Sequence, residues 1–472
     1  MESVSKIDRI YKYMENIVAK EYISTTIFDR IKSAQGVFPY EVKTEQVPYV
    51  VVMPSNREEL VEIVKYANME KIPIFISTSG THALGGTRPH THGIALSMHR
   101  LNKIEFLEEY GFFECEAGCI CNKVGEALDK KGYFLPMAPG SRLIATMGGL
   151  ISNNTSGHVV DTSIGKPGDY VYGLEVVLPN GEIIETGTMG LRRPSGTDLT
   201  KYFIGGDGLF GIITKIRMRL LPGIHKAYGA AIFDNLISLA KGVQRMHREM
   251  CPSPLFMEFM AQDAAKIGYE IKGMPPPKGS VIFFVCIGNT EEEARNKVDR
   301  ILKSLQAEKP LEAFTVDDIN LWNNLWSTRE VLGSFLMRKG DQWMAAEVVS
   351  NLKDLPECME DAQNFYKDIP LLSQLESHLY GHIGGLTFHP GALMPRQWDS
   401  ETKKNAIDEK FRKEMELNIK YNTCGGEWGQ FSKRTDFFIK RYGQAGYEFV
   451  KGLKRTIDPN NILNPGVLEG YR

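Results

Sequence analysis

The strongest constraint on this chain lies between residues 48 and 87. PYVVVM (48–53) reads as a strand, NREELVEIVKYANM (56–69) as a helix with Leu60, Ile63, Val64 and Ala67 on one face, and IPIFIS (72–77) as a second strand. This is a β-α-β unit, and it runs directly into Ser77-Thr-Ser-Gly-Thr-His-Ala-Leu-Gly-Gly-Thr87. Small residues of this kind let backbone amides and hydroxyls surround a pyrophosphate with no side chain intervening. A tight surface loop would look the same, so the segment alone does not decide. It is not a G-x-G-x-x-G fingerprint, and no Walker loop occurs, which argues against nicotinamide Rossmann and NTPase readings.

Further along, short strands are expected at 93–98, 103–107 and 112–117, a helix near 121–131, and a second glycine-rich loop at 139–157. LEVVLPNGEIIET (174–186) carries a Pro-Asn-Gly turn between two apolar runs, a hairpin signal. After GIITKIRMRLLP (211–222), Pro222-Gly223 marks a domain boundary. Beyond it, strands near 227–233 and 280–286 alternate with helical patterns at 235–248 and 291–306, a second α+β module. KGLKRTIDPNNILNPG (451–466) closes the chain with a helix stopped by Asp-Pro-Asn-Asn. A chain of 472 residues exceeds what one core usually supports. The expected organisation is a helical segment at 1–44, a first domain at 45–223, a second at 224–430, and a terminal segment at 431–472 that returns to the first domain.

Fifty-six basic against 58 acidic residues give a net charge of −2, with no basic excess to neutralise a phosphate backbone, so nucleic acid is not the expected partner. The N-terminus lacks the apolar core of a signal peptide and no stretch is long enough to span a bilayer, which points to a cytoplasmic protein. Seven cysteines, an odd number, suit a reducing compartment. Cys115, Cys119 and Cys121 lie close together without the repeated spacing of an iron–sulfur site, and read as buried structural thiols.

Several blocks occur in a telling order: Ile72-Pro-Ile, Ser79-Gly-Thr81, Gly85-Gly86, Glu116-Ala-Gly118, Pro139-Gly140, Ala145-Thr-Met-Gly148-Gly149, Asn153-Asn154, Leu174 to Gly181, and Ile204-Gly-Gly-Asp-Gly208 with Gly211-Ile212-Ile213. Across residues 45–223 they resemble the FAD domain of the vanillyl-alcohol oxidase / p-cresol methylhydroxylase (PCMH) type. The resemblance implies an α+β, two-domain FAD-binding PCMH-type fold with an α+β substrate, or cap, domain. It implies that Ser77, Thr78, Ser79, Gly80, Thr81 and His82 hold the pyrophosphate, and that Pro139, Gly140, Thr146, Met147, Gly148 and Gly149 hold the flavin and its phosphates. Ser152, Asn153 and Gly157 would meet the isoalloxazine or ribityl region. Gly208, Ile212 and Ile213 would take the adenine end, with Asn464 a further cofactor contact. Some members attach FAD through a histidine in the first loop; Thr81 occupies that place here and His82 follows it, so non-covalent FAD is expected.

In the second half, Tyr380-Gly-His382-Ile-Gly-Gly-Leu-Thr-Phe-His389 pairs two histidines, and Gly425-Gly-Glu427-Trp428-Gly429 adds a carboxylate. Two imidazoles and a carboxylate can bind a divalent metal with one position open to substrate, although such histidines are more often plain polar residues. The segment resembles the G-H-x-G-D-G-N-x-H and G-E-H-G blocks of D-lactate, D-2-hydroxyglutarate and glycolate-type dehydrogenases. That resemblance implies His382, His389 and Glu427 as ligands, with zinc the leading metal and iron or manganese compatible with the set.

The departures matter as much. Gly385-Leu386-Thr387 replaces Asp-Gly-Asn, and Trp428 stands where those enzymes carry the catalytic histidine. Either Trp428 lines the pocket of an inactive or repurposed relative, or another group such as His82 or His158 takes the proton. Trp326-Ser-Thr-Arg329 resembles the segment whose arginine binds the substrate carboxylate; the plainer alternative is a surface salt-bridging arginine. A lysine that usually supports substrate is replaced near Ala345–Ala346. Trp322, Trp326, Trp343 and Trp428 either wall an aromatic-tolerant pocket or pack the core. Arg329, Trp428 and His82 are thus the candidate catalytic positions, and the departures suggest a substrate larger or less polar than lactate.

The implied reaction is metal-assisted oxidation of an alcohol or hydroxyacid by hydride transfer to flavin N5. Electrons would leave to an electron-transferring flavoprotein or an iron–sulfur subunit, with oxygen the alternative acceptor. Two rivals stand beside it: a vanillyl-alcohol-oxidase-like enzyme acting on a phenolic or non-acid alcohol, and a catalytically silent FAD electron-transfer subunit of a complex. A homo-oligomer is compatible with either.

Overall fold

The computed structural model describes the chain apart from residues 1, 37–41, 83–87, 156, 160–164, 193–195, 224, 339–341, 425–434 and 469–472, and apart from the side chains of 2–5 and 333–338. Strands Val50–Val52 and Ile74–Ile76 both pair in parallel with Ile94–Leu96. Their valines and isoleucines are almost all buried, as parallel strands covered on both faces require. The crossover helix Arg57–Met69 begins at Asn56, whose side chain accepts the Glu59 amide at 2.8 Å, and it buries Leu60, Ile63, Val64 and Ala67. Ile23–Ser24 completes a four-stranded sheet.

A second, antiparallel sheet runs in the order Ile104–Leu107, Phe112–Glu116, Ile212–Arg219, Val171–Val177, Ile183–Glu185. Its last two strands form a hairpin in which Val177 faces Ile183 and Gly181 turns the chain at φ 83°. The C-terminal segment closes on the first sheet. Ile74 donates its amide to Ile462 O at 2.7 Å, and the buried Lys454 ammonium holds Asp458, Leu209 O and Leu463 O. These elements form one compact unit, Met1–Ser156 with Lys166–Pro222 and Glu427–Arg472.

The other unit is Gly157–Gly165 with Gly223–Gly426. It is built on an antiparallel sheet ordered Glu312–Val316, His225–Phe233, Ser280–Gly288, Phe256–Met260, Ser377–His382, Thr387–Met394, Gln342–Ala345, with Val348–Val349 pairing the 387–394 strand as well. SVIFFVCIG, the 280–288 strand, is rich in β-branched and aromatic residues and almost wholly buried. Helix Glu291–Gln306, capped by Thr290, packs on the 225–233 and 280–288 strands.

Two periodicities converge on one face of this sheet. Alternation along Ser377–His382 sends His378, Tyr380 and His382 to the same side. Tyr380 lies opposite both Met260 and His389, and Glu258, two residues before Met260, shares their face. Helix Ile319–Arg338 carries Trp322, Trp326 and Arg329 at spacings of four and three, which is one helical stripe. Trp322 meets Phe256 and Phe283 on the sheet at 6.4 Å each, so the stripe covers the polar face. Among the described residues no helix is long and apolar enough to cross a membrane.

Candidate functional site: a loop cradle and a buried carboxylate

In the first unit the glycine-rich segments gather. The Ser77 amide donates to Leu96 O at 2.9 Å, the Met98 amide donates to Thr78 Oγ1 at 3.1 Å, and Ser79 Oγ donates to Ile144 O at 2.6 Å. The first loop is therefore tied both to its strand and to the second loop. Thr146 opens the short helix Met147–Ser152. Gly148 there is obligatory, because a Cβ would lie 2.7 Å from Ala117 Cβ and 2.9 Å from Ala117 O. The Asp207 amide donates to Ser152 O at 3.0 Å, and Asn464 Nδ2 donates to Asp207 O at 2.8 Å. His82 Nε2 stands 3.6 Å from Asp207 Oδ1.

Gly80 and Gly208 take left-handed φ values of 63° and 72°, and a Cβ on Gly140 would meet nothing within 4 Å. Small residues and left-handed glycines among backbone amides fit a dinucleotide diphosphate. Ile212 and Ile213 open the central strand of the five-stranded sheet opposite Val177 and Val176, and Asn153 Nδ2 donates to Thr155 Oγ1 at 3.0 Å. Pro139 accepts the Arg142 amide at 2.9 Å, and Gly149 accepts that of Asn153 at 3.1 Å. Gly157 belongs by packing to the other unit.

The second unit holds a cluster of a different kind. Glu258 is fully buried in the 256–260 strand, and three basic side chains converge on it. Arg329 Nε and Nη2 reach Oε2 at 2.9 and 2.8 Å. His382 Nδ1 bonds Oε1, and His158 Nδ1 stands 3.2 Å from the same oxygen, off hydrogen-bond alignment. Burial alone would raise the Glu258 carboxyl, but His382, Arg329 and His158 outweigh it and hold the group well below the usual carboxylate range. For His158 burial wins instead: desolvation lowers the imidazole's basicity against the opposing pull of Glu258.

The carboxylate thus fixes one end of Arg329 and of His382 and lies beside the His158 ring. Arg329 Nη1 and His158 Nε2 have no hydrogen-bond partner among the described residues. The Arg329 guanidinium also lies 4.2 Å from the Tyr380 ring centroid, which sets its plane.

The donor chemistry fits a divalent cation. Ligand atoms of His158, Glu258 and His382 all lie within 4.8 Å of one another. The His389 ring, buried and edge-on, is 5.0 Å from that of His382. His382 Nδ1 bonds Glu258, and a carboxylate behind an imidazole is the usual outer partner of a metal-binding histidine. Glu427 and Trp428 lie outside the described residues.

An aromatic row adjoins the cluster. Trp326 meets His158 edge-on at 5.0 Å and Phe256 at 4.9 Å, stacks on Trp322 at 6.1 Å and 9°, and Trp322 in turn stacks on Tyr228 at 4.5 Å. Trp343 lies elsewhere, beside Gly391 and His378. Ala345 and Ala346 are buried, and Lys410, from helix Ser400–Lys420, places its ammonium on Ala345 O at 3.0 Å.

Residues 48–187 match the family model of an FAD binding domain, and residues 224–468 match that of the C-terminal domain of FAD linked oxidases. The chain belongs to the FAD-linked oxidases. The glycolate oxidase subunit GlcD of Bacillus subtilis is 29% identical over 451 residues, covering 93% of each chain. The D-lactate dehydrogenase of Archaeoglobus fulgidus is 29% identical over 433 residues, covering 89% of this chain and 90% of its own. Among solved structures, p-cresol methylhydroxylase superposes with a TM-score of 0.79 over 98% of this chain and 97% of its own at 16% identity, a likeness of fold.

This FAD-linked oxidase therefore has the two-domain PCMH-type architecture and is an FAD-dependent oxidoreductase. Of the expected residues, the structure draws His382, His389 and Arg329 into one neighbourhood and adds His158, while His82 sits in the other unit's cradle. Sequence reasoning missed Glu258 and Asp207. Glu258 had one visible signal: it is the lone charge inside the apolar run FMEFM.

Proposed function

We propose that this oxidase removes two electrons from the carbinol carbon of a 2-hydroxyacid-like alcohol. The observation that carries the reading is the Glu258 cluster, in which one buried carboxylate orients the Arg329 guanidinium and stands 3.2 Å from the His158 imidazole. Arg329, held by Glu258 through Nε and Nη2, offers Nη1 to the substrate carboxylate. His158 offers Nε2 to the substrate hydroxyl and takes its proton, a role open because Trp428 cannot accept one. His382 and His389, with Glu427, would hold a divalent metal, zinc first and iron or manganese next, whose contribution is to acidify and orient the hydroxyl. FAD, held non-covalently by the 77–82, 139–153 and 205–213 segments with Asn464, supplies the two-electron acceptor. His82, paired with Asp207, belongs to the cofactor side in this scheme.

Electrons taken from the substrate would pass on to a protein acceptor, an electron-transferring flavoprotein or an iron–sulfur subunit. The FAD-loaded protein, mixed anaerobically with a panel of D-2-hydroxyacids and aromatic alcohols, should lose its yellow colour with the acids, and metal analysis should find about one divalent ion per chain. Activity with non-acid alcohols alone that survives chelation would replace this reading by a vanillyl-alcohol-oxidase-like one. Low hydrogen peroxide yield during turnover with an artificial acceptor supports the protein-acceptor route.

A further inference from the structure

The buried carboxylates of the first unit are matched to donors, with one exception. Glu175 accepts from Arg57 and Thr214 at 2.7 Å each, Glu114 from Arg217 at 2.8 and 2.6 Å, and Asp458 from Lys454 and from the Ile462 and Leu463 amides. The Asp207 side chain is only 4% exposed, yet among the described residues no donor hydrogen-bonds either of its oxygens. His82 Nε2 stands 3.6 Å from Oδ1, beyond hydrogen-bond reach. A carboxylate taken out of water without donors is costly, so a buried one calls for a partner.

The backbone commits the residue to this place. Asp207 holds φ at 47°, between Gly205 at 73° and Gly208 at 72°, a left-handed conformation that glycine takes at lower cost. Its amide donates to Ser152 O at 3.0 Å and its carbonyl accepts from Asn464 Nδ2 at 2.8 Å. Two other cradle segments thus fix the main chain, and only the side chain is left for a ligand. Oδ1 lies beside His82, so the carboxylate faces the first loop, to which the reading above assigns the FAD pyrophosphate. A carboxylate repels phosphate oxygens, and its partner is therefore a neutral donor. In FAD the groups that adjoin the pyrophosphate are the ribityl chain on one side and the adenosine ribose on the other, and both carry hydroxyls.

Resting on that placement of FAD, we propose that the Asp207 carboxylate is a cofactor-binding group that accepts hydrogen bonds from sugar hydroxyls next to the pyrophosphate. Titration of the apoprotein with FAD tests it. Asn tolerates the left-handed region as Asp does, so Asp207→Asn keeps the backbone and removes the charge. The affinity for FAD should fall about tenfold, because a charge-assisted hydrogen bond becomes a neutral one. Without such a bond, taking a negative charge away from a diphosphate leaves the affinity unchanged or raises it, and either result overturns the proposal. Asp207→Gly, which the same φ favours, carries the same expectation should Asp207→Asn fold poorly.

Competition against FAD by riboflavin 5′-phosphate and by ADP identifies the sugar. Weakening in Asp207→Asn confined to the flavin fragment assigns the ribityl chain, and weakening confined to ADP assigns the ribose. Equal weakening of both fragments, or of neither, overturns direct recognition of a hydroxyl. Gly148→Val separates this role from the cradle itself. If Gly148→Val weakens FAD and Asp207→Asn does not, the cradle stands and the role of Asp207 falls; if neither does, the placement of FAD falls with it.

Discussion

The loop cradle of the first unit and the carboxylate cluster of the second, which we propose hold cofactor and substrate, are built from opposite materials. The cradle is backbone: Ser77 to His82, the turn into Gly148, and the Asp207 loop are joined by amides and small residues. The cluster uses side chains, with Glu258 as the common partner of Arg329, His382 and His158. Backbone sites demand small residues at fixed places and tolerate little added volume. Side-chain sites demand charge balance, and their weak point is one atom group.

Glu258→Ala breaks the comparison hardest. It leaves the buried Arg329 guanidinium unpaired, which should cost about 3–5 kcal/mol of stability. The denaturation midpoint should fall and hydroxyacid-driven flavin bleaching should vanish, while FAD content of the folded fraction stays at the wild-type level. A variant as stable as wild type would show that Glu258 is no keystone.

His382→Ala comes next. Loss of one imidazole should weaken the divalent metal by about a hundredfold or more and spare FAD. Metal analysis of His382→Ala and Glu427→Ala decides it, and full occupancy in both would reject the ligand assignment. The converse probe, Gly148→Val, adds volume where Ala117 already crowds the site. Overpacking of about 1–3 kcal/mol should weaken FAD about tenfold or more by titration, with metal content unchanged.

The same contrast explains what the sequence revealed. The β-α-β unit at 48–77 and the hairpin at 174–186 are local patterns, each set by neighbours within a few residues, and the structure forms both. The cradle inherits that locality because every block is a contiguous run of small residues. The cluster does not: Arg329 and His382 lie 71 and 124 residues from Glu258, and no local pattern links them. The 256–260 strand itself escapes periodicity, being a five-residue apolar run that a short helix could also use. The histidines at 382 and 389 lie on the two strands of a β-hairpin, whose turn holds Leu386 in the left-handed region at φ 53°. Arg329, readable as an exposed helix charge, is buried because Glu258 waits beneath it.

The smallest effect probes how far the cradle's two loops act as one. Ser79 Oγ donates to Ile144 O across 65 residues of sequence, a single neutral hydrogen bond joining the first glycine loop to the second. Ser79→Ala removes the donor and leaves a carbonyl that water can reach, so the loss should be about 1 kcal/mol. If the loops bind the cofactor together, that loss appears as an FAD affinity about fivefold weaker with no change in melting of the apoprotein. If the bond merely staples the fold, the apoprotein melts lower and the FAD titration of the folded fraction is unmoved. Only the first outcome makes the cradle cooperative in the way the Glu258 cluster must be, with two distant segments held in register by one contact.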